Sequence, residues 1–295
     1  MSEASQLYRL TGVPAPDAPV LVVALEGWVD AGLTAATALT GLLESVDTEV
    51  FAVFDGEELI DQRARRPRLR ISDGISEEIT WAEPVVRVGT DRLGSGIAIL
   101  TGPEPDFRWR GFSEAVRQMA VGMGTRLMVG FGGFPAAAPH TRPIKLAATA
   151  TSEGLAQQVG FISGTIEVPA GVEAVLEQAL SAGGIPAVGL WARVPHYVAA
   201  MPFPAAAMAL LDGLAAISGL VIDADVLADA AEAARRKVDE LIAQSREHAD
   251  MVHQLEASLD ELEGAPSDLA PESMPSGDEI AAELERYLRG ERGEL

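Results

Sequence analysis

Val20-Leu21-Val22-Val23-Ala24-Leu25-Glu26-Gly27-Trp28-Val29-Asp30-Ala31-Gly32 opens on six apolar residues, turns polar at Glu26 and closes between two glycines, just before a helical pattern from Leu33 to Glu44. The apolar run is continuous rather than alternating, as in a strand covered on both faces. A strand that hands over to a helix through a glycine-bounded loop is the repeating unit of α/β sheets, which place ligand-facing loops at this end of their strands. In the loop, Gly27 and Gly32 permit tight turns and Asp30 is placed to cap the helix through a side-chain oxygen. Trp28 offers a flat apolar cover for a crevice or a partner. Glu26 and Asp30 form a candidate acid–base pair, although separation and surroundings decide such roles.

Outward from this unit the pattern repeats. TEVFAVF (48–54), PVVRVG (84–89), GIAILTG (96–102), RLMVGFGG (126–133), GTIEV (164–168) and IPAVGLWA (185–192) are short apolar runs bounded by Gly, Pro or Asp. Helical segments fall between several of them, at Trp109–Gly122, Gly171–Ala182 and Pro204–Ile217. The alternation predicts a three-layer α/β/α body over residues 15–222, with a mixed, largely parallel sheet and antiparallel or mixed edge strands near residues 77–90.

Composition changes after residue 222. Residues 223–295 hold 20 acidic and 7 basic side chains, so a quarter of the chain carries more than half of its net charge of −22. This predicts a helical C-terminal extension over 223–263, packed on the body or on a partner subunit. Its stripe is Val238, Leu241, Ser245, His248, Val252, Leu255, Leu259 and Leu262, at steps of three and four. A linker over 264–277 and a short terminal helix over 278–295 complete the expected organisation, the helix led by Ser276 and Glu279 as a capping box.

Charge and composition also exclude functions. A chain with net charge −22 and only two lysines is a poor ligand for nucleic acid or an anionic membrane, both of which are bound by neutralising phosphate. The absence of Cys removes thiolate catalysis and thiolate metal sites, and four His leave little for a histidine cluster, so no metal and no cofactor is expected. The glycine-rich stretch 122–133 lacks the order of a dinucleotide or P-loop motif. Residues 198–221 are interrupted by Pro202, Pro204 and Asp212 and read as a buried Ala-rich helix rather than a membrane span. An amino-terminal region without a long apolar run predicts a cytoplasmic protein.

Three further constellations stand out. Arg63, Arg65, Arg66, Arg68 and Arg70 cluster around Pro67, on a loop or edge, where they suit an acidic protein surface within or between subunits better than phosphate. Pro139-His140-Thr141-Arg142-Pro143 and Val194-Pro195-His196-Tyr197 place His140, Arg142, His196 and Tyr197 on loops after strands, without a nucleophile elbow or a complete triad.

Taken in order, the Gly27-Trp28-Val29-Asp30-Ala31-Gly32 loop, Arg65-Arg66-Pro67, Gly102-Pro103-Glu104-Pro105-Asp106 with Trp109, the Pro139–Pro143 motif and Val194–Tyr197 resemble the proteasome-assembly-chaperone-like family, especially its actinobacterial branch. The resemblance covers approximately residues 17–262. It implies an α/β/α body of the phosphorylase/hydrolase-like kind, self-association, and no established catalytic mechanism in bacterial members. Some assembly factors of this kind dock on proteasome rings through a C-terminal hydrophobic-Tyr-X motif, whereas this chain ends Arg292-Gly293-Glu294-Leu295 with Tyr287 well inside.

The expected function is therefore a non-enzymatic, homo-oligomeric protein-interaction or assembly factor, with itself, proteasome subunits or another protein as partner. Gly27, Trp28, Asp30, Gly32, the five arginines, Arg142 and Tyr197 form its interaction or structural loops. The competing expectation is a small-molecule hydrolase or transferase in which Glu26, Asp30, His140, Arg142 and His196 converge in one loop cleft.

Overall fold

In the computed structural model, which describes residues 6–27 and 29–264, the decisive apolar run becomes a central strand. In chain order the elements are β1 (Tyr8–Leu10), β2 (Val20–Glu26), α1 (Thr34–Ser45), β3 (Thr48–Phe54), α2 (Gly56–Leu59), β4 (Arg68–Ser72), β5 (Ile75–Thr80), β6 (Val85–Thr90), β7 (Gly96–Pro103), α3 (Trp109–Gly122), β8 (Leu127–Ala136), β9 (Leu146–Ala150), α4 (Glu153–Val159), α5 (Val172–Ala182), β10 (Ala187–Pro195), α6 (Pro204–Ser218), α7 (Ala228–Ala243) and α8 (Arg246–Gly264). Trp28, the expected linker beyond residue 264 and the expected terminal helix lie outside the described residues.

β2 shows why the run is unbroken. Val20, Val22 and Ala24 point into one core, while Leu21 and Val23 point into the other. The first core lies under α1 and α6 and takes Leu227 and Val238 from the extension; the second lies under α3 and α5. Two helical layers around one sheet make the α/β/α body.

The sheet itself corrects the expectation of a largely parallel, phosphorylase/hydrolase-like body. Its eight strands run β1-β3-β6-β7-β2-β8-β10-β9. The pairings β7·β2, β2·β8 and β8·β10 are parallel, whereas β1·β3, β3·β6, β6·β7 and β10·β9 are antiparallel. Chain connection dictates this: Asp91 and Gly94 close a tight turn between β6 and β7, which only antiparallel neighbours can share. Antiparallel pairing thus extends well beyond residues 77–90. GTIEV corrects a second expectation, because residues 164–168 form no strand and leave Ile166 and Val168 exposed.

α6 starts on Pro204, where a missing N–H costs nothing, and buries Ala206, Ala207, Leu210, Leu211 and Leu214. The most apolar window of the chain is therefore core. No helix among the described residues is long and apolar enough to cross a membrane. The acidic extension begins as one helix and turns back at its weakest point. Ser245 ends the expected continuous stripe by opening α8, its hydroxyl accepting from the His248 N–H at 3.3 Å. Val238 and Val252 stay buried on either side of this break, whereas Leu241 is exposed.

Between β3 and β6 the chain makes an excursion. β4 and β5 pair with each other as a separate antiparallel hairpin, and every residue of β5 is exposed.

Candidate functional site

The ends of β2 and β7 lie side by side, and the chain leaves them in opposite directions. β2 leads to α1 over one face and β7 to α3 over the other, the arrangement that opens a crevice at the C-terminal edge of an α/β sheet. Here it is a cleft of about 580 Å³. Glu26, Asp30 and Glu104 contribute to it from the strand ends, Phe131 from β8, Trp191 from β10 and Glu173 from the first turn of α5.

Each carboxyl has a different situation. Glu26 is exposed at the lip, where its backbone carbonyl accepts from the Glu104 N–H at 2.7 Å. Asp30 caps α1, Oδ1 accepting from the Ala35 N–H at 2.7 Å and Oδ2 from the Ala36 N–H at 3.2 Å. Buried Glu104 accepts from the Val172 N–H at 2.6 Å. Glu173 Oε1 is withdrawn from water and has no hydrogen-bond partner among the described residues. Burial, reinforced by the charges of Glu177 and Glu104, holds its pKa well above the ordinary glutamate value. Burial also raises Glu177, against a 2.9 Å hydrogen bond from the Thr149 hydroxyl. Thr149 in turn accepts from Trp191 Nε1–H at 3.1 Å.

Glycines in the sheet make the space for these groups. A Cβ at Gly130 would collide with the Glu173 carboxyl, one at Gly189 with Glu177 and Thr149, and one at Gly132 with the Trp191 ring. Gly132 and Gly133 therefore lie within β8 as clearance, not as turns beyond it. Gly32, at φ 69°, turns the loop against Phe203 and Val194, and it bonds Ala199 and Phe203 through its backbone.

The residues of the competing catalytic constellation are not brought together. Only Glu26 and Asp30 reach the cleft, and Asp30 is engaged as a cap. His140 is fully buried elsewhere, with Nε2 2.9 Å from Asp239 and Nδ1 2.7 Å from the Tyr197 hydroxyl, which also accepts from the His140 N–H at 2.8 Å. Arg142 reaches Asp260 at 2.9 Å and Glu256 at 3.2 Å, and the Thr141 hydroxyl bonds Glu256 as well. The Pro139–Pro143 motif thus fastens α7 and α8 to the body. His196 is exposed, its ring edge-on to Tyr197.

Of the arginines, Arg65 is half-buried over Gly27, donating to the Glu104 carbonyl and lying 3.5 Å from Asp106. Arg63, Arg66, Arg68 and Arg70 are exposed at or before the β4–β5 hairpin, Arg70 pairing across it with Glu77 at 2.9 Å. Around them Leu69, Ile71, Ile75, Ile79 and Trp81 are 49–68% exposed. Among the described residues no group of three or more His, Cys, Asp or Glu is placed to hold a metal. Glu173, Glu177 and Trp191 had no sequence signal beyond two Glu at i and i+4 beside the apolar stripe Val172, Leu176, Leu180 of α5.

The pattern of the PAC2 family matches residues 24–242. A Corynebacterium glutamicum protein of unknown function is 30% identical, with a TM-score of 0.82 over 88% of this chain and 98% of its own. A Mycobacterium tuberculosis protein of unknown function is 36% identical, with a TM-score of 0.81 over 88% and 92%. A Mycobacterium tuberculosis protein described as a proteasome-assembly chaperone homologue is 35% identical, with a TM-score of 0.71 over 79% and 99%. None of these three carries a phosphorylase or hydrolase description. No curated protein matches the chain.

Proposed function

The chain belongs to the PAC2 family, and from that premise we propose that it is a non-enzymatic assembly or protein-interaction factor that associates with a second copy of itself through the β4–β5 hairpin. The observation that carries this reading is the exposed apolar cluster Leu69, Ile71, Ile75, Ile79 and Trp81, set among Arg66, Arg68 and Arg70. A hairpin whose second strand is wholly exposed among the described residues gains by covering such a surface, and Trp and Arg are the side chains that most often dominate interface energies. The protein's own acidic surface, with 44 Asp and Glu against 22 Lys and Arg, is a complementary partner for the arginines.

Light scattering coupled to size-exclusion chromatography tests the proposal. A mass that is a multiple of 31.0 kDa is expected, and 31.0 kDa at every micromolar concentration tried would count against it. The description of the Mycobacterium tuberculosis homologue makes proteasome subunits a further partner to examine, in the cytoplasmic setting expected from the sequence. Capture from native extract with the full chain as bait should then retain α-type subunits; their repeated absence beside other retained proteins rejects that partner.

A further inference from the structure

We propose that the cleft at the ends of β2 and β7 is a binding site for a small organic cation, an alkylammonium with an apolar or aromatic body, whose ammonium group is received by Glu173. The inference goes beyond the interaction role and does not depend on it. Three observations carry it. The cleft, at about 580 Å³, has the volume of a small-molecule site. Its charged lining is four carboxyl groups, those of Glu26, Asp30, Glu104 and Glu173, beside the Thr40 hydroxyl, and among the described residues no Lys or Arg lines it. The Glu173 carboxyl lines it, and its Oε1, packed over Gly130, has no donor among the described residues, although buried polar atoms in folded proteins are nearly always hydrogen-bonded.

The other carboxyl groups already have work. Asp30 is committed to the α1 amides and Glu104 to the Val172 N–H, so both contribute charge rather than free acceptors. Glu177 stands behind Glu173 on the next turn of α5, and Glu26 lies at the lip. Arg65, over Gly27, is outside the lining and is held by Asp106 and the Glu104 carbonyl. A ligand that donates hydrogen bonds and carries positive charge is therefore the complement of this site, whereas an anion would meet several carboxyl groups and, among the described residues, no lining cation. Phe131 and Trp191 supply aromatic surface, and Leu39 and Val29 supply apolar surface, for the rest of such a molecule.

Occupancy is linked to protons. Burial and the facing charges of Glu177 and Glu104 favour the protonated form of Glu173. An ammonium beside the Glu173 carboxyl reverses that preference, so Glu173 ionises and one proton leaves to solvent while the ligand keeps its own.

The test is isothermal titration of the full chain with three probes of one shape, 2-phenylethylamine, 2-phenylethanol and phenylacetate, each in two buffers of different ionisation enthalpy. The amine should bind one site per chain at least about tenfold more tightly than the alcohol or the acid, with a buffer-dependent heat reporting proton release. Glu173→Gln should weaken amine binding by at least about tenfold, remove the buffer dependence and leave the thermal midpoint at or above that of the parent. Should Glu173→Gln fail to fold, Val29→Arg at the exposed lip is expected to weaken the amine through repulsion without touching the core. Equal affinity for the three probes, full binding by Glu173→Gln or by Val29→Arg, or no binding of the amine at millimolar concentration overturns the proposal.

Discussion

Glu173 and Glu177 lie one turn apart on α5, both facing glycines of the sheet, and their pKa values are raised mainly by burial. A carboxyl raised in the folded state keeps a proton that the unfolded chain has already lost. Between the ordinary glutamate value near 4.5 and the raised value of Glu173, the native state binds more protons than the unfolded state, and stability falls as pH rises. Urea unfolding from pH 5 to pH 8 should show this loss, and Glu173→Gln should reduce it and be more stable than the parent at the alkaline end. An unchanged slope would remove Glu173 as its source. His140 makes the opposite case, a buried polar group whose hydrogen bonds are all satisfied. Its Nε2 pairs with the Asp239 carboxyl and its Nδ1 with the Tyr197 hydroxyl, which also accepts from the His140 backbone N–H. Burial raises the Tyr197 pKa and so keeps that hydroxyl protonated. His140→Ala leaves Tyr197 and Asp239 without this partner and should cost about 1–3 kcal/mol in denaturant unfolding; a cost near zero would mean that the network does not hold the extension.

At the scale of elements, α8 has one fully buried side chain among the described residues, Val252, and makes charged contacts to the Thr141–Arg142 loop. Exposed ion pairs are usually worth about 0–1 kcal/mol each, and a network such as Arg142 on Glu256 and both oxygens of Asp260 is the case in which they contribute more. Arg142→Ala should therefore speed amide hydrogen exchange in α8 while leaving β2, β7 and β8 protected, and equal exchange in α8 would show that apolar packing alone secures it. The four long helices of the body were legible because their period is local, Trp109–Gly122 running over the residues expected and the other three differing by a residue at an end, whereas the short α2 and α4 were not expected. Strand direction was not legible, because a strand between two helical layers reads as an apolar run whichever way its neighbour points. β6 did carry the signal in muted form, burying Val86 and Val88 alternately. Asp30 could be read as a cap because its donors are five and six residues away. His140 and Arg142 could not be read as clamps, since their partners stand about a hundred residues further along. Gly130 and Gly189 face Glu173 and Glu177 only once β8 and β10 are in register, so this part of the cleft had no pattern of its own in the sequence. The hairpin makes the most exposed test of the proposed interface. Ile75→Asp with Ile79→Asp alters side chains on a fully exposed strand, so circular dichroism should be unchanged while the light-scattering mass falls to 31.0 kDa. An unaltered mass would move the interface elsewhere.

For the whole molecule, the charge of −22 acts on association in two ways. Each copy repels another as a like-charged body, a long-range effect whose reach is about 30 Å at 0.01 M salt and about 8 Å at 0.15 M. The proposed contact, by contrast, is short-range, with apolar side chains of β4 and β5 beside arginines that meet acidic groups. Moderate salt screens the repulsion between copies more than it screens groups in contact, whereas high salt also weakens the arginine pairs. Self-association should therefore strengthen from about 0.01 M to about 0.15 M salt and weaken again toward about 1 M, a maximum that sedimentation velocity across a salt series can locate. A steady fall from the lowest salt would mean that charge pairing outweighs the overall repulsion throughout. A steady rise would leave the Arg66, Arg68 and Arg70 cluster without an energetic part and the apolar side chains as the whole of the contact.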